Sequence, residues 1–484
     1  MISFKQMRVD RGRMLTLGHV VEALSGHPEP SLTTEFKHAV IDSRQVEPGA
    51  LFIALPGEQV DGHDFVTDAL ELGAAAALVD RDVDVEANVI DFRRDVREQL
   101  STVISTPVIL RVDDSLLGLQ RTAAFWREQL SLRVVGITGS VGKSTTKELT
   151  ADVLSRRFRT IKNPGNLNNE IGLPLTLLQA NEKHERAVLE MGFYVPGEIA
   201  LLCDIAIPSV GVVTNISEVH LERAGTMDAI VEGKGELVAA LPEDGVAVLN
   251  HDEPMVRNLA DRTDARVFFY GLSPESHLWA SEVEGLGLDG VRCVLHYQGD
   301  TIHLRVPLLG RHSVHTILRA AAVGLIEGLT WQEIVGGLQG TKSQLRLVAV
   351  QGPKDSLLLD DTYNSAPASV LAALNLLEEL DGRRVAVLGD MLELGEYEEK
   401  GHRLVGARVA GIADLLITIG ERARWIADEA QTVGMPDEQV IELKDSQDAV
   451  TYLEERVEEG DVILVKGSRG MRMDRIVSAL EAHA

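Results

Sequence analysis

Cysteine is scarce in this chain of 484 residues: Cys203 and Cys293 stand far apart and match no metal or redox spacing. That excludes a disulfide scaffold and a cysteine-ligated zinc site, and makes a reducing, cytoplasmic setting the expectation. Aromatic residues are also few, at 4%, so any core must be built mostly of Val, Leu, Ile and Ala. Basic residues are in deficit, 47 Lys and Arg against 74 Asp and Glu. A nucleic-acid surface needs clustered cations, so no nucleic-acid partner is expected. A phosphate-bearing small molecule stays compatible, because a local pocket can be positive inside an acidic protein. No apolar run approaches the roughly 20 residues of a membrane span, and the stretch MISFKQMRVDRGR lacks a secretory apolar core. No membrane partner is expected either.

What is present divides into three regions, giving an α/β fold in three domains. Residues 1–112 hold short apolar runs (AVID, ALFIAL, AAAALV) between turn signals such as Pro48-Gly49 and Pro56-Gly57, the pattern of a small α/β domain. The charged stretch from Val83 to Thr106 reads as an insertion or surface loop. Residues 113–343 open with the helical SLLGLQRTAAFWREQL and the strand RVVGIT, then alternate strands (AVLEMG, VGVVTNI, GVAVLN) with helices, as in a parallel doubly wound sheet. VFFYGL, VRCVLHY and TIHLRVPLL read as an antiparallel excursion. In 344–484 the pattern restarts with LRLVAV, SLLLDD, RRVAVLGD, LLITIG and DVILVKG, a second nucleotide-fold-like unit of Rossmann type.

Chemistry enters at residues 136–147, GITGSVGKSTTK. The strict phosphate-loop pattern would put glycine at Ile137, but the physical requirements are met by Thr138, Gly139, Ser140, Val141, Gly142, Lys143, Ser144 and Thr145. An apolar strand feeds glycines that let backbone N–H groups approach phosphate, and a helix N-terminus adds its dipole. Lys143 can neutralise β- and γ-phosphates, and Ser144 can offer its hydroxyl to Mg²⁺. The plain alternative is a capped strand-to-helix turn. Glu190 and His220 each follow a strand, on the edge where ligands collect in parallel sheets. A carboxylate and an imidazole there suit a divalent cation.

The set TGSVGKSTTKE, NLNNEIGLPLTLL, LEMG, TNISEVHLE and GRHSVH, in this order, resembles the Mur ligases of peptidoglycan synthesis. The flanking DSRQVEPGALFIALPGEQVDGHDF, DDTYNSAP, GDMLELGEYEEKGH and VKGSRGMRMD extend the resemblance over the whole chain, toward the member that uses D-alanyl-D-alanine. The resemblance implies an ATP-dependent amide ligase joining that dipeptide to UDP-N-acetylmuramoyl-tripeptide through an acyl phosphate, with ATP and Mg²⁺ as cofactors, in a cytoplasmic monomer. It implies a uridine-nucleotide domain at 1–112, an ATP-binding domain at 113–343 and the Rossmann-like domain at 344–484.

Residue by residue, the resemblance gives catalytic roles to Lys143, Glu190, His220, Lys234 and Arg346, with Ser144, Glu190, His220 and a carbamylated Lys234 as the metal set. Asn250 and His312 take places used for adenine, and Arg346 and Asp361 reach the γ-phosphate and ribose. Ser43, Arg44, Asp61, Gly62 and His63 look like the UDP end. Asn166, Asn168, Asn169, Tyr363, Asn364, Asp390, Glu393, Lys466, Ser468 and Arg469 fall on the substrate side. Two alternatives stay open: a Mur-type relative with another substrate, and a phosphotransferase or NTPase using the same loop.

Overall fold

Short apolar runs bounded by turn residues become strands throughout, and what distinguishes the regions is how many faces each strand buries. The computed structural model describes residues 13–57, 60–100, 104–219, 221–340 and 348–481. These fall into two units, one made of Met1–Gly136, Phe158–Gly192 and Glu198–Ser209, the other of Ile137–Arg157, Phe193–Gly197 and Val210–Ala484.

In the first unit, the helix Leu17–Ser25 is started by a reciprocal cap between Thr16 and His19 and stopped by Gly26 at φ 72°. A parallel sheet follows, made of β1 (Ala39–Val40), β2 (Leu51–Ile53), β3 (Ala76–Val79), β4 (Asn88–Asp91) and β5 (Val108–Arg111), in the order β1-β2-β3-β5-β4. Phe52, Val66, Ala77, Val79 and Ile109 pack one core against it. The stretch Val83–Thr106, read above as a loop, instead supplies β4 and the short helix Val96–Gln99, whose first turn is capped by Asp95. The signal was hidden because β4 is an edge strand with its first two residues exposed. Beyond the helix Ser115–Glu128, capped by Asp114, the unit holds β6 (Arg133–Thr138), which continues into the second unit, and the parallel pair β7 (Thr160–Lys162) and β8 (Arg186–Glu190), in the order β6-β8-β7.

In the second unit, the end of β6 is joined by β9 (Val210–Val213), β10 (Val246–Asn250), β11 (Arg266–Gly271), β12 (Leu278–Gly285), β13 (Val291–Tyr297) and β14 (Asp300–Val306), in the order β14-β13-β12-β11-β10-β9-β6. The antiparallel excursion starts later than the sequence suggests. VFFYGL lies in β11, parallel to both β10 and β12; only β12-β13-β14 alternate in direction.

A second sheet of this unit contains β15 (Val348–Gln351), β16 (Leu357–Asp361), β17 (Arg384–Gly389), β18 (Leu415–Ile419), β19 (Val440–Leu443) and β20 (Val462–Lys466), in the order β15-β16-β20-β17-β18-β19. Only the β15–β16 pair is antiparallel. Alternate residues feed two cores: Leu359, Ala386, Leu388 and Leu416 pack on one face, and Leu358, Val385, Val387 and Ile417 on the other. Burial on both faces explains why these strands read as unbroken apolar runs. β19, with the sequence VIEL, lies at the sheet edge with Glu442 exposed, and its short mixed pattern escaped the sequence reading.

Candidate active site

The strand β6 delivers Thr138, fully buried, to a turn that only glycine can make. Gly139 has φ +140°, and a Cβ there would lie 1.9 Å from Thr214 Oγ1. Gly142 has φ +81° and starts the helix Lys143–Leu154 without any side-chain cap. The helix dipole at that end favours an anion.

The loop is held from behind by the segment after β9. Asn215 Oδ1 accepts from Val141 N at 2.8 Å, and the Asn215 carbonyl accepts from Ser140 N at 3.0 Å. Thr214 Oγ1 donates to the Val141 carbonyl at 2.7 Å, and Ser140 Oγ exchanges bonds with the Ser217 backbone at 2.9 and 3.1 Å. Thr214, Asn215 and Ser217 belong to the TNIS motif, yet sequence reasoning gave them no role. Their side chains address loop backbone, a function that residue type alone does not announce. Lys143 Nζ donates to the Gly139 carbonyl at 2.8 Å and approaches the Ser140 carbonyl at 3.3 Å.

A cleft open to solvent brings the loop together with distant sequence. Ser140, Val141, Gly142 and Thr145 line it with His312 and with Asp361, Asn364 and Lys466. Although His312 as a whole is exposed, its ring packs on Gly310, where a Cβ would sit 2.6 Å from the ring carbon Cε1. Its pKa is held below the ordinary histidine value, by desolvation first and then by the charges of His315 and Arg319. The neutral ring keeps an acceptor nitrogen. Asn250 ends β10, buried, and its Oδ1 accepts from Asp252 N at 3.0 Å; it is absent from the cleft lining.

Lys466 ends β20 with 1% of its side chain exposed; its Nζ lies 2.7 Å from Asp361 Oδ2 and 2.9 Å from the Asn364 carbonyl. It braces the loop that carries Asp361. Tyr363 and Arg469 line a separate cleft together with Asp360 and Arg472.

Lys234 lies on the helix Met227–Ala239 and is buried, with its Nζ 4.4 Å from the Phe193 ring centroid. Gly233 makes room for that ring, since a Cβ there would fall 1.9 Å from Phe193 Cε2. Desolvation, and then the charge of Lys143, hold the Lys234 pKa well below the usual lysine value. Two residues on, Glu236 accepts from Gly197 N through its carboxylate.

The first unit builds its own cluster. Glu190 is fully buried at the end of β8, and Asn168 Nδ2 donates to its Oε1 at 2.8 Å. Asn163 spans the Glu190 backbone, accepting from its N–H at 2.9 Å and donating to its carbonyl at 3.0 Å. Asn169 Oδ1 accepts from Gly172 N at 2.9 Å, at the first residue of the helix Gly172–Leu178, while Asn166 accepts through its carbonyl from Asn168 N. In the sheet domain, His63 Nδ1 lies 2.7 Å from Asp61 Oδ1 and its Nε2 accepts from Asp80 N at 3.1 Å. A Cβ at Gly62 would lie 2.8 Å from Leu55 N. Arg44, next to Ser43 in the same short turn, presents an exposed guanidinium forked on Asp42.

The remaining C-terminal candidates make bonds within the protein. Asp390 Oδ1 accepts from Arg422 N at 3.0 Å and Ala423 N at 2.7 Å. Ser468 donates its N–H to the Asp390 carbonyl and accepts from Leu392 N through its hydroxyl. Glu393 sits at φ +66°, 3.8 Å from Arg223. His220 and Arg346 lie outside the described residues. Among the described residues, no group of three or more His, Cys, Asp or Glu side chains converges as a metal site.

Three family profiles match the chain: "Mur ligase family, catalytic domain" at 35–125, "Mur ligase middle domain" at 137–324 and "Mur ligase, glutamate ligase domain" at 345–469. The UDP-N-acetylmuramoyl-tripeptide–D-alanyl-D-alanine ligase of Bacillus subtilis is 35% identical, covering 96% of this chain and 98% of the relative. The Escherichia coli enzyme of the same name is 34% identical at the same coverages, 96% and 98%. Among solved structures, MurF from Acinetobacter baumannii superposes with a TM-score of 0.84 at 28% identity, covering 97% of this chain and 99% of the other. MurF from Thermotoga maritima in complex with ADP gives 0.78 at 28% identity, covering 96% and 98%. With a glycine loop shaped for phosphate and relatives matched over nearly their full length, this chain belongs to the Mur ligase family.

Proposed function

We propose that the protein is an ATP-dependent ligase that joins D-alanyl-D-alanine to UDP-N-acetylmuramoyl-tripeptide, releasing ADP and phosphate in peptidoglycan precursor synthesis. The observation that carries the reading is the cleft in which the phosphate loop meets His312 and the Asp361–Asn364 loop. Full-length relatives of that name and an ADP-bound neighbour support it.

In this reading Lys143 and the N–H groups at the start of Lys143–Leu154 hold the β- and γ-phosphates. His312 faces adenine, as does Asn250 at the end of β10, and Asp361, fixed by Lys466, meets the ribose. The tripeptide carboxylate attacks the γ-phosphate to form an acyl phosphate, and the dipeptide amine then displaces phosphate. The protein's part is positioning and charge neutralisation. Arg346 is proposed for the developing phosphoryl charge, and Tyr363, Asn364, Glu393 and Arg469 for the dipeptide side. The pair Asp61–His63, with Ser43, Arg44 and Gly62, is proposed for the UDP end. The site residues among the asparagines, Asn166, Asn168 and Asn169, are proposed to shape the ground around Glu190.

Taken singly, each donor is of a kind Mg²⁺ accepts: Ser144 is a hydroxyl at a helix start, and Glu190 is a buried carboxylate oriented by Asn168. With His220, these are the residues proposed to hold it, and its chemistry would be to neutralise charge on the phosphates. Lys234, buried and held toward its neutral amine, suits reaction with CO₂ to a carbamate, which reverses its charge. No helix among the described residues is long and apolar enough to cross a membrane, and a cytoplasmic monomer is proposed. The test is ADP release from ATP with the UDP-linked tripeptide, with and without D-alanyl-D-alanine. A ligase needs both for sustained turnover; a phosphotransferase continues without the dipeptide.

A further inference from the structure

Arg319 stands on the helix Val314–Ile326, which the sequence presents as an apolar run, and it is 5% exposed. Its Nη1 donates to the Thr214 carbonyl at 3.0 Å and its Nη2 to Thr316 Oγ1 at 2.9 Å. Nε is buried with no hydrogen-bond partner, and the guanidinium carbon lies 5.9 Å from the Tyr270 ring centroid. Among the described residues no carboxylate lies within ion-pair distance of it; burial pushes the pKa of the half-buried Glu253 up, and Arg319 is close enough only for its charge to draw that pKa partly back down. A buried, permanently charged guanidinium whose only carboxylate neighbour stands beyond ion-pair distance is costly, so its retention favours a further anion nearby.

The position of that anion follows from the loop. Nη2 lies 3.5 Å from where a Cβ on Gly142 would stand, so the cation sits directly behind the residue that opens the phosphate-binding helix. Thr316, which Arg319 holds, lines the nucleotide cleft, and Thr214, which it also holds, fixes the Val141 carbonyl. Lys143 approaches the loop's carbonyls from its own side chain. We propose that Arg319 is a second, fixed cation of the nucleotide site: a positioning residue that acts from behind Gly142 and raises affinity for the phosphates of ADP and ATP.

The proposal rests on the ligase reading but is separable from it. Calorimetric titration of the full chain with ADP and with adenosine, for wild type, Arg319→Lys, Arg319→Gln and Arg319→Met, provides the test. Removing the charge weakens ADP by about tenfold or more, while Lys stays within about threefold, because Coulomb attraction persists at this range in a low-dielectric setting. Adenosine, which carries no phosphate, binds all four alike. Equal losses for ADP and adenosine, or an Arg319→Gln variant within twofold of wild type for ADP, overturn the proposal. Where the Gln and Met variants do not fold, a natively folded Arg319→Lys that loses tenfold for ADP overturns it as well. A wild-type chain that binds no ADP at all contradicts the ligase reading instead.

Discussion

Lys466→Met separates a brace from a substrate contact. The ammonium of Lys466 is almost completely buried, 2.7 Å from Asp361 and 2.9 Å from the Asn364 carbonyl. Methionine keeps most of the apolar stem and removes only the charge and its donors. Breaking a buried pair from one side costs about 3–5 kcal/mol, because the remaining charge stays buried with one counter-charge fewer. Asp361 retains 14% side-chain exposure, so some water returns and the lower end, about 3 kcal/mol, applies. That corresponds to roughly a hundredfold loss of amide protection in β16 and β20, read by hydrogen exchange with mass spectrometry. The double variant Lys466→Met/Asp361→Asn removes the stranded carboxylate and recovers most of the protection. Loss below about 1 kcal/mol in the single variant, or no recovery in the double, refutes the brace and returns Lys466 to the substrate side.

Gly139→Ala places a Cβ 1.9 Å from Thr214 Oγ1 at φ +140°; it lowers the melting temperature and weakens ADP by more than about tenfold, and Thr214→Ala restores only part, because the backbone strain of about 1–3 kcal/mol remains. Asp390→Ala removes an acceptor from two N–H groups and costs about 1–2 kcal/mol in thermal melts, with a smaller effect on the KM for D-alanyl-D-alanine than on stability. Lys234→Ala abolishes ligation, and added bicarbonate does not restore it; an active variant removes the carbamate proposal. In CO₂-free buffer Lys234→Met is more stable than wild type near neutral pH. The folded pKa of Lys234 is depressed, so the unfolded chain binds the extra proton; wild-type stability therefore rises with pH toward the ordinary lysine value of 10.5, and the difference between the two proteins shrinks over that range. A constant difference across pH contradicts the burial of a charged-state-averse lysine.

The phosphate loop was legible because its demands are written in residue types: two glycines at positive φ, a lysine and a hydroxyl at a helix start. Strands buried on both faces were legible for a similar reason, as continuous runs of Val, Leu and Ile. Edge strands β4 and β19 were not, since one side of each answers to solvent. The roles of Thr214, Asn215 and Ser217 depend on where their side chains point, which no local pattern encodes. Arg319 was invisible for the opposite reason. An arginine in a helix reads as a solvated face, and only the packing of that helix against the loop turns it inward. Asp390 and Lys466 carry charges that invite a substrate role, while their bonds go to backbone and to a neighbouring carboxylate.

The account turns on phosphorylation of the tripeptide's terminal acid before the amine arrives. Oxygen-18 in that carboxylate, followed by mass spectrometry of the released phosphate in a complete reaction, tests this directly. Acyl-phosphate chemistry carries one labelled oxygen from the carboxylate into inorganic phosphate as the amide forms. Unlabelled phosphate alongside amide product would contradict the mechanism, and the absence of any dipeptide-dependent product would contradict the function.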